Sequence, residues 1–410
     1  MSLPLDPSRV RAEFPAFAEA SLQGQAFFEN AGGSYTARQV IDRLDRYYRA
    51  TKVQPYGWYP ASQEAGAAMD LAYARIAAAL NVTPDWVHFG PSTSANTYVL
   101  GNAFAQWLKP GDAVIVTDQD HEANTGAWRR LDRIGAEIRE WKLDRDTGHL
   151  DLADLDALID DRVRLIAFPH ASNIVAEINP VEKIVARGHA VGAKIVVDGV
   201  SYAPHGLPDV MALGADVYLF SAYKTYGPHL GVMAIRPDLA RALPNQGHFF
   251  NDEKLRYRLT PAGPDHAQIA AAAGIADYLE RVAEIAGDAV SGADPFRRAH
   301  AAMRAQETML LGPLMDFCAA NANRFRLIGP TIAANRAPTV AIALSEPARD
   351  AATRLAARGI MAGGGHFYGW RPLTALGIDP AHGVLRVSFT HYTTPEEIDR
   401  LIAALDAELS

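Results

Sequence analysis

Residues 194–224, KIVVDGVSYAPHGLPDVMALGADVYLFSAYK, decide the fold. They hold two short β-rich runs, KIVVD (Lys194–Asp198) and DVYLFS (Asp216–Ser221), which read as buried strands, each ending on a polar residue. Working outward, AVIVTD (Ala113–Asp118), RLIAFP (Arg164–Pro169) and GVMAI (Gly231–Ile235) repeat the pattern. Helix-like segments lie between them, for example Asn124–Gly135 and Pro180–Val191. This alternation, from about Val87 to Pro237, predicts an α/β domain with a mostly parallel central sheet flanked by helices. After about Thr260 the texture changes to long Ala/Leu helices, a few strands and a final helix. Thr394 can cap that helix, Pro395 suits its first turn and Glu397 can complete a capping box, ahead of the apolar face Ile398, Leu401, Ile402 and Leu405. A second, smaller α+β domain is expected there.

In open α/β sheets ligands bind at the carboxyl ends of the strands, so the polar residues at those ends come first. KIVVD ends in Asp198-Gly199, and DVYLFS runs into Ser221-Ala222-Tyr223-Lys224. RLIAFP leads to His170-Ala171-Ser172-Asn173, and AVIVTD to Asp120-His121-Glu122-Ala123-Asn124. Four strand ends thus offer an acid, a lysine, an amide and an imidazole. A lysine just past a buried strand is costly as an ammonium. As a neutral amine it can attack an aldehyde and hold it as a Schiff base. Pyridoxal 5′-phosphate (PLP) is such an aldehyde, and it needs an anion near its pyridine nitrogen, a place Asp198 can fill. Its phosphate needs N–H groups and hydroxyls at a helix N-terminus. Phe89–Asn96, with Ser92, Thr93 and Ser94, supplies them ahead of the helical run Thr97–Leu108. Singly, each residue has a plainer reading: a solvated loop lysine, a turn aspartate, an N-cap serine, a surface histidine, a turn asparagine. Their joint appearance, in order, at strand ends favours the cofactor.

Composition narrows the partners. The 410 residues are 49% hydrophobic, enough for two domains, and carry a formal net charge of −8 from 39 Lys+Arg against 47 Asp+Glu. With no basic run, neither nucleic acid nor an anionic membrane is an expected partner. A single cysteine, Cys318, excludes an internal disulfide, and no metal-ligand spacing occurs among the histidines. The opening MSLPLDPSRVRAEFPAF has no apolar h-region, and no apolar run approaches the roughly 18 residues of a membrane span, so a cytoplasmic protein is expected.

Several stretches together resemble the class V aminotransferase family of PLP enzymes, in its cysteine desulfurase-like branch. They are DHEAN (120–124), HASNIVAEINPV (170–181), VDGVSYAPHG (197–206), FSAYKTYGPH (220–229) and RVSFTHYTTPEEIDRL (386–401). The resemblance implies PLP fold-type I, with residues 1–20 packing on the small domain, 21–265 forming the large cofactor domain and 266–410 the small domain. It implies that Lys224 holds the cofactor and later moves protons, that Asp198 pairs with the pyridine nitrogen, that His121 stacks on the ring and that Asn173 bonds its phenolic oxygen. Thr93, Ser94 and Ser221, beside Ser92, would hold the phosphate. Arg386 would grip a substrate carboxylate as a bidentate pair. Asn30 joins it as a candidate substrate contact. A homodimer in which both subunits shape each active site is likewise implied.

The chain also departs from the family. The loop that carries a nucleophilic cysteine in desulfurases reads AGGGHFYG (362–369) here, with Tyr368 near the thiol's place. Persulfide chemistry on an enzyme cysteine is therefore not expected. Ser201 stands where desulfurases have a glutamine near the ring oxygen, and Tyr223 replaces the histidine before the lysine. Gly263-Pro264 replaces a Gly-Thr pair. Glycines beside His366 and Tyr368 give mobility next to groups that can move protons, so both are candidates for substrate contact and catalysis. The expected substrate is a small amino acid or related amine. Cleavage of a β-substituent, as by a C–S lyase, ranks first, ahead of transamination or epimerisation. A non-catalytic PLP-binding protein ranks last.

Overall fold

The computed structural model describes residues 3–261, 263–287 and 294–409. Its strands are β1 (Ala26–Phe27), β2 (Val87–Gly90), β3 (Ala113–Thr117), β4 (Glu137–Trp141), β5 (Val163–Pro169), β6 (Lys194–Asp198), β7 (Val217–Ser221), β8 (Gly231–Ile235), β9 (Arg326–Ile328), β10 (Thr339–Ala343), β11 (Ile360–Met361), β12 (Gly363–Gly365) and β13 (Val384–Ser388). Seven form one sheet in the order β2-β8-β7-β6-β5-β3-β4. Only β8 runs against its neighbours, so the sheet is mostly parallel, as the strand–helix alternation predicts.

Alternate residues of these strands feed two cores. Ile115, Ile166, Ile195, Val197, Tyr218 and Phe220 join one hydrophobic cluster, while Val114, Val116, Leu165, Val196, Val217 and Leu219 join another. A strand with two covered faces must be apolar throughout, which explains the unbroken runs. Each fully buried Val or Ile contributes roughly 2 kcal/mol of transfer free energy. Register then aligns the strand ends: Pro169 lies opposite Asp198, and Asp198 opposite Leu219.

Four strands form an antiparallel sheet, β12-β13-β10-β9, covered by Ala348–Ala357 and Pro395–Glu408. The last helix has its capping box: Thr394 Oγ1 accepts from Glu397 N at 3.2 Å, and Thr394 N donates to Glu397 Oε2 at 3.1 Å. Helix boundaries elsewhere shift by a few residues. The segment expected as one helix over 124–135 is an α-helix, Glu122–Arg129, followed by a 3-10 turn, Arg130–Ile134, that stops at Gly135 with φ +83°.

The division between the layers differs from the expected boundary at 265/266. Helices His266–Ala271 and Ala273–Ala286 pack on Arg38–Ala50 and Pro60–Ala79, against the large sheet's core rather than the small one. The 26-residue helix Pro295–Ala320 then spans both: Phe296, Ala299 and Met303 belong to the large core, Leu310, Leu314 and Cys318 to the small one. Near the N-terminus, β1 pairs with β11, and Ala26 and Phe28 lie in the small core. Of residues 1–20, expected on the small domain, the described ones touch both parts. Leu5, Val10 and Phe14 sit in the large cluster, while Arg11 Nε donates to Tyr392 O at 2.8 Å and its guanidinium pairs with Glu397. Among the described residues, no helix is long and apolar enough to cross a membrane.

Candidate active site

The aligned carboxyl ends of β3, β5, β6 and β7 open on a cavity of about 620 Å³, closed on its other side by Glu29, Phe367, Tyr368 and Arg386. Lys224 ends the 3-10 turn Ala222–Lys224 that follows β7. Burial, reinforced by the Arg386 charge and opposed by Asp198 and Glu29, brings its ammonium down to about pKa 8. A useful fraction is thus the neutral, nucleophilic amine near neutrality. Asp198 ends β6, only 7% exposed. One of its oxygens accepts from Val200 N at 2.8 Å, and burial raises its carboxyl to about 6 despite that bond and Lys224.

His121 opens the helix Glu122–Arg129, and its Nδ1 accepts from Ala123 N at 3.0 Å. That bond requires an unprotonated Nδ1, and burial, with Lys224 and Arg386 nearby, lowers the imidazole to about 3. The ring is therefore neutral, as suits a flat cover for another aromatic ring. Beside it, Asp120 also lines the cavity; burial and then Asp198 push its carboxyl well up. Thr93 and Ser94 begin the helix Thr93–Trp107, and Thr93 Oγ1 shares a 2.8 Å hydrogen bond with Ser221 Oγ. Ser201 lines the cavity. Tyr223 does too, its ring stacked on His229 at 4.6 Å.

Three expected site residues lie elsewhere. Ser92 is the cap of Thr93–Trp107, its Oγ accepting from Ala95 N at 3.1 Å, and does not line the cavity. Asn30 lies beside the cavity, not on it, donating to Ser388 O at 3.3 Å and accepting from Tyr392 Oη. It is Glu29, missed in the sequence, that reaches the cavity. His366 is also outside: its Nδ1 is turned back to accept from Tyr368 N at 3.1 Å. Its neighbours Phe367 and Tyr368, with φ of 47° and 56°, both take the left-handed conformation that non-glycine residues rarely adopt. This loop is tied down at two points, Asn173 Nδ2 donating to Phe367 O at 2.9 Å and Glu122 N to Tyr368 O at 3.0 Å.

These residues fit PLP. The Asn173 amide has a second hydrogen on Nδ2 and a buried, unpartnered Oδ1. A first helical turn leaves four N–H groups unbonded within the helix, and Ser92 takes only that of Ala95, so the hydroxyl-rich start of Thr93–Trp107 suits a phosphate. A weakly basic amine and a buried carboxyl complete the set. Among the described residues no His/Cys/Asp/Glu cluster could hold a metal.

Comparison with known proteins agrees. Residues 26–401 match the family described as Aminotransferase class-V. The chain is 34% identical over 417 residues to the "Aminotransferase-like protein FGM3" of Gibberella zeae, covering 98% of each. It is 31% identical over 425 residues to a cysteine desulfurase of Serratia proteamaculans, covering 99% of this chain and 98% of the relative. Among solved structures, a cysteine desulfurase from Thermococcus onnurineus superposes with a TM-score of 0.84 at 23% identity, covering 99% of this chain and 98% of that one. The cysteine desulfurase CsdA of Escherichia coli gives 0.80 at 22% identity, covering 98% of each. The shared architecture is PLP fold-type I. With the match running almost end to end and a cavity suited to the cofactor, this chain belongs to the class V aminotransferase family and is a PLP-dependent enzyme.

Proposed function

We propose that this enzyme cleaves a substituent from the β-carbon of a small amino acid, as a C–S lyase does, without passing sulfur through a cysteine of its own. One observation carries the choice: Arg386 is the only cationic residue besides Lys224 among the described residues lining the cavity. That suits one class of carboxylated substrate and supplies no second cation to recognise a differently charged keto acid. Cys318 supports the rest, being buried in the small core with its thiol pushed up to about pKa 11 by burial.

When bound, PLP supplies an aldehyde for amines and a ring that draws electrons from the substrate's α-carbon. Lys224 Nζ would hold the cofactor and, as a weakly basic amine, would take the substrate's α-proton. Asp198 keeps the pyridine nitrogen protonated through the oxygen not committed to Val200 N. His121, neutral, would cover the ring and exclude water from that face. Thr93, Ser94 and Ser221 hold the phosphate, with the Tyr223 phenol beside them. Asn173 would offer the second hydrogen of Nδ2 to the phenolic oxygen, and Ser201 lines the same cavity. Arg386 orients the substrate carboxylate. Tyr368, at the cavity mouth, delivers a proton to the departing group.

Exposed aromatic side chains, Trp58 at 96% and Phe249 at 87%, favour a homodimer that covers them. The protein acts in the cytoplasm in this reading. A second reading is transamination, favoured by the name of the Gibberella zeae relative. Both are tested by adding a panel of amino acids to the purified enzyme while following its visible spectrum, keto acid and ammonia. A persisting cofactor band with both products accumulating is the lyase outcome. Stoichiometric bleaching, reversed by a keto acid, would replace it with transamination.

A further inference from the structure

Arg386 is buried, with 4% of its side chain exposed, and its guanidinium is already engaged. Nη1 donates to Asn173 O at 3.3 Å, and Nη2 to Glu29 Oε1 at 2.7 Å. One face lies on the Phe367 ring, with Cζ 3.8 Å from its centroid. Glu29 has a fixed backbone: it bridges to Ser388, and its carbonyl accepts from Gly32 N at 2.9 Å. Its side chain is 29% exposed and lines the cavity, while Oε2 is buried without a hydrogen-bond partner. Two glycines leave room for it. A Cβ on Gly363 would lie 2.3 Å from Glu29 Oε2, and one on Gly32 3.0 Å from Oε1. A carboxylate of the chain itself therefore occupies the group assigned above to the substrate's carboxylate.

We propose that Glu29 is a specificity-determining residue, neutralising Arg386 while substrate is absent and competing with any carboxylate that approaches it. The inference rests on the reading of Arg386 as the substrate's carboxylate grip. A buried guanidinium without a counter-ion is strongly disfavoured, so the empty site needs the pair. A tethered carboxylate competes at a high effective concentration, which a simple anion cannot match. An amino acid adds the contacts of its amine and displaces Glu29. The pair thus admits amino acids and turns away small carboxylates.

The test uses the holoenzyme and two probes of similar shape, propionate and neutral propionamide, with affinities measured by calorimetry. Glu29→Gln is expected to bind propionate about tenfold tighter than wild type, with propionamide unchanged. If Glu29→Gln does not fold, Glu29→Ala, which also removes the carboxylate, serves in its place with the same expectation. Unchanged or weaker propionate binding, or an equal gain for propionamide, overturns the proposal. Arg386→Met separates the two readings. If Glu29→Gln gives no gain and Arg386→Met abolishes propionate binding, the grip stands and only the role of Glu29 falls. If propionate still binds as in wild type, the grip itself falls.

Discussion

The Lys224 amine offers a prediction that can be worked through. Its pKa of about 8 arises from burial and from the Arg386 charge, against the pull of Asp198 and Glu29. At pH 7.5 about a quarter of such an amine is neutral, against about one part in 800 for a solvated lysine of pKa about 10.4. Lys224 should therefore capture an aldehyde about two-hundredfold faster at that pH than its solvated counterpart would by this term alone. The assay is the rate at which apoenzyme takes up PLP, followed by visible absorbance from pH 7 to 10. In wild type the rate should level off above a midpoint near 8. Arg386→Met removes a like charge and should move the midpoint up. Asp198→Asn removes an opposite charge and should move it down. A wild-type midpoint near 10, or an upward shift in Asp198→Asn, would refute the electrostatic reasoning.

Three further outcomes follow from single contacts. Thr93→Val loses the hydroxyl bonded to Ser221, and PLP affinity in an absorbance titration should fall on the order of tenfold, about 1.4 kcal/mol; unchanged affinity removes Thr93 from the phosphate site. Cys318→Ala should cost about 1 kcal/mol in denaturant unfolding, from the small void in the core, yet leave turnover intact; loss of turnover would bring persulfide chemistry back. His170, stacked on Tyr202 and held near pKa 3 by burial, is neutral when folded, whereas unfolded it protonates below about 6.5. Its contribution is complete above 6.5 and is lost as pH falls toward 3, by about 2 kcal/mol at pH 5. His170→Gln should therefore lose less stability than wild type between pH 7 and 5, and equal losses would contradict the linkage.

Much of the site was legible because the sheet edge gathers strand ends. Asp198, Lys224, His121 and Asn173 lie far apart in sequence, yet each follows an unbroken β run, and parallel registration brings them together. Details set by a single residue's direction were not legible. Glu29 and Asn30 are neighbours where the chain leaves β1 and enters a turn, and a turn has no periodicity to say which side chain points into the cavity. Ser92 and Thr93 differ only in that a cap turns its oxygen back to its own helix. His366 was displaced by the consecutive left-handed residues after it, a loop geometry with no glycine at either position to announce it. A boundary between the two cores was hard to read for another reason. Ala-rich helices look alike whichever core they cover, and Pro295–Ala320 serves both cores along one helix.

Reducing the holoenzyme with borohydride, digesting it and locating the pyridoxyl group by peptide mass spectrometry shows which lysine carries the cofactor. The label is expected on the peptide containing Lys224, with none in Lys224→Ala treated alike. A label on another lysine, or an equal label in Lys224→Ala, would contradict the assignment of Lys224.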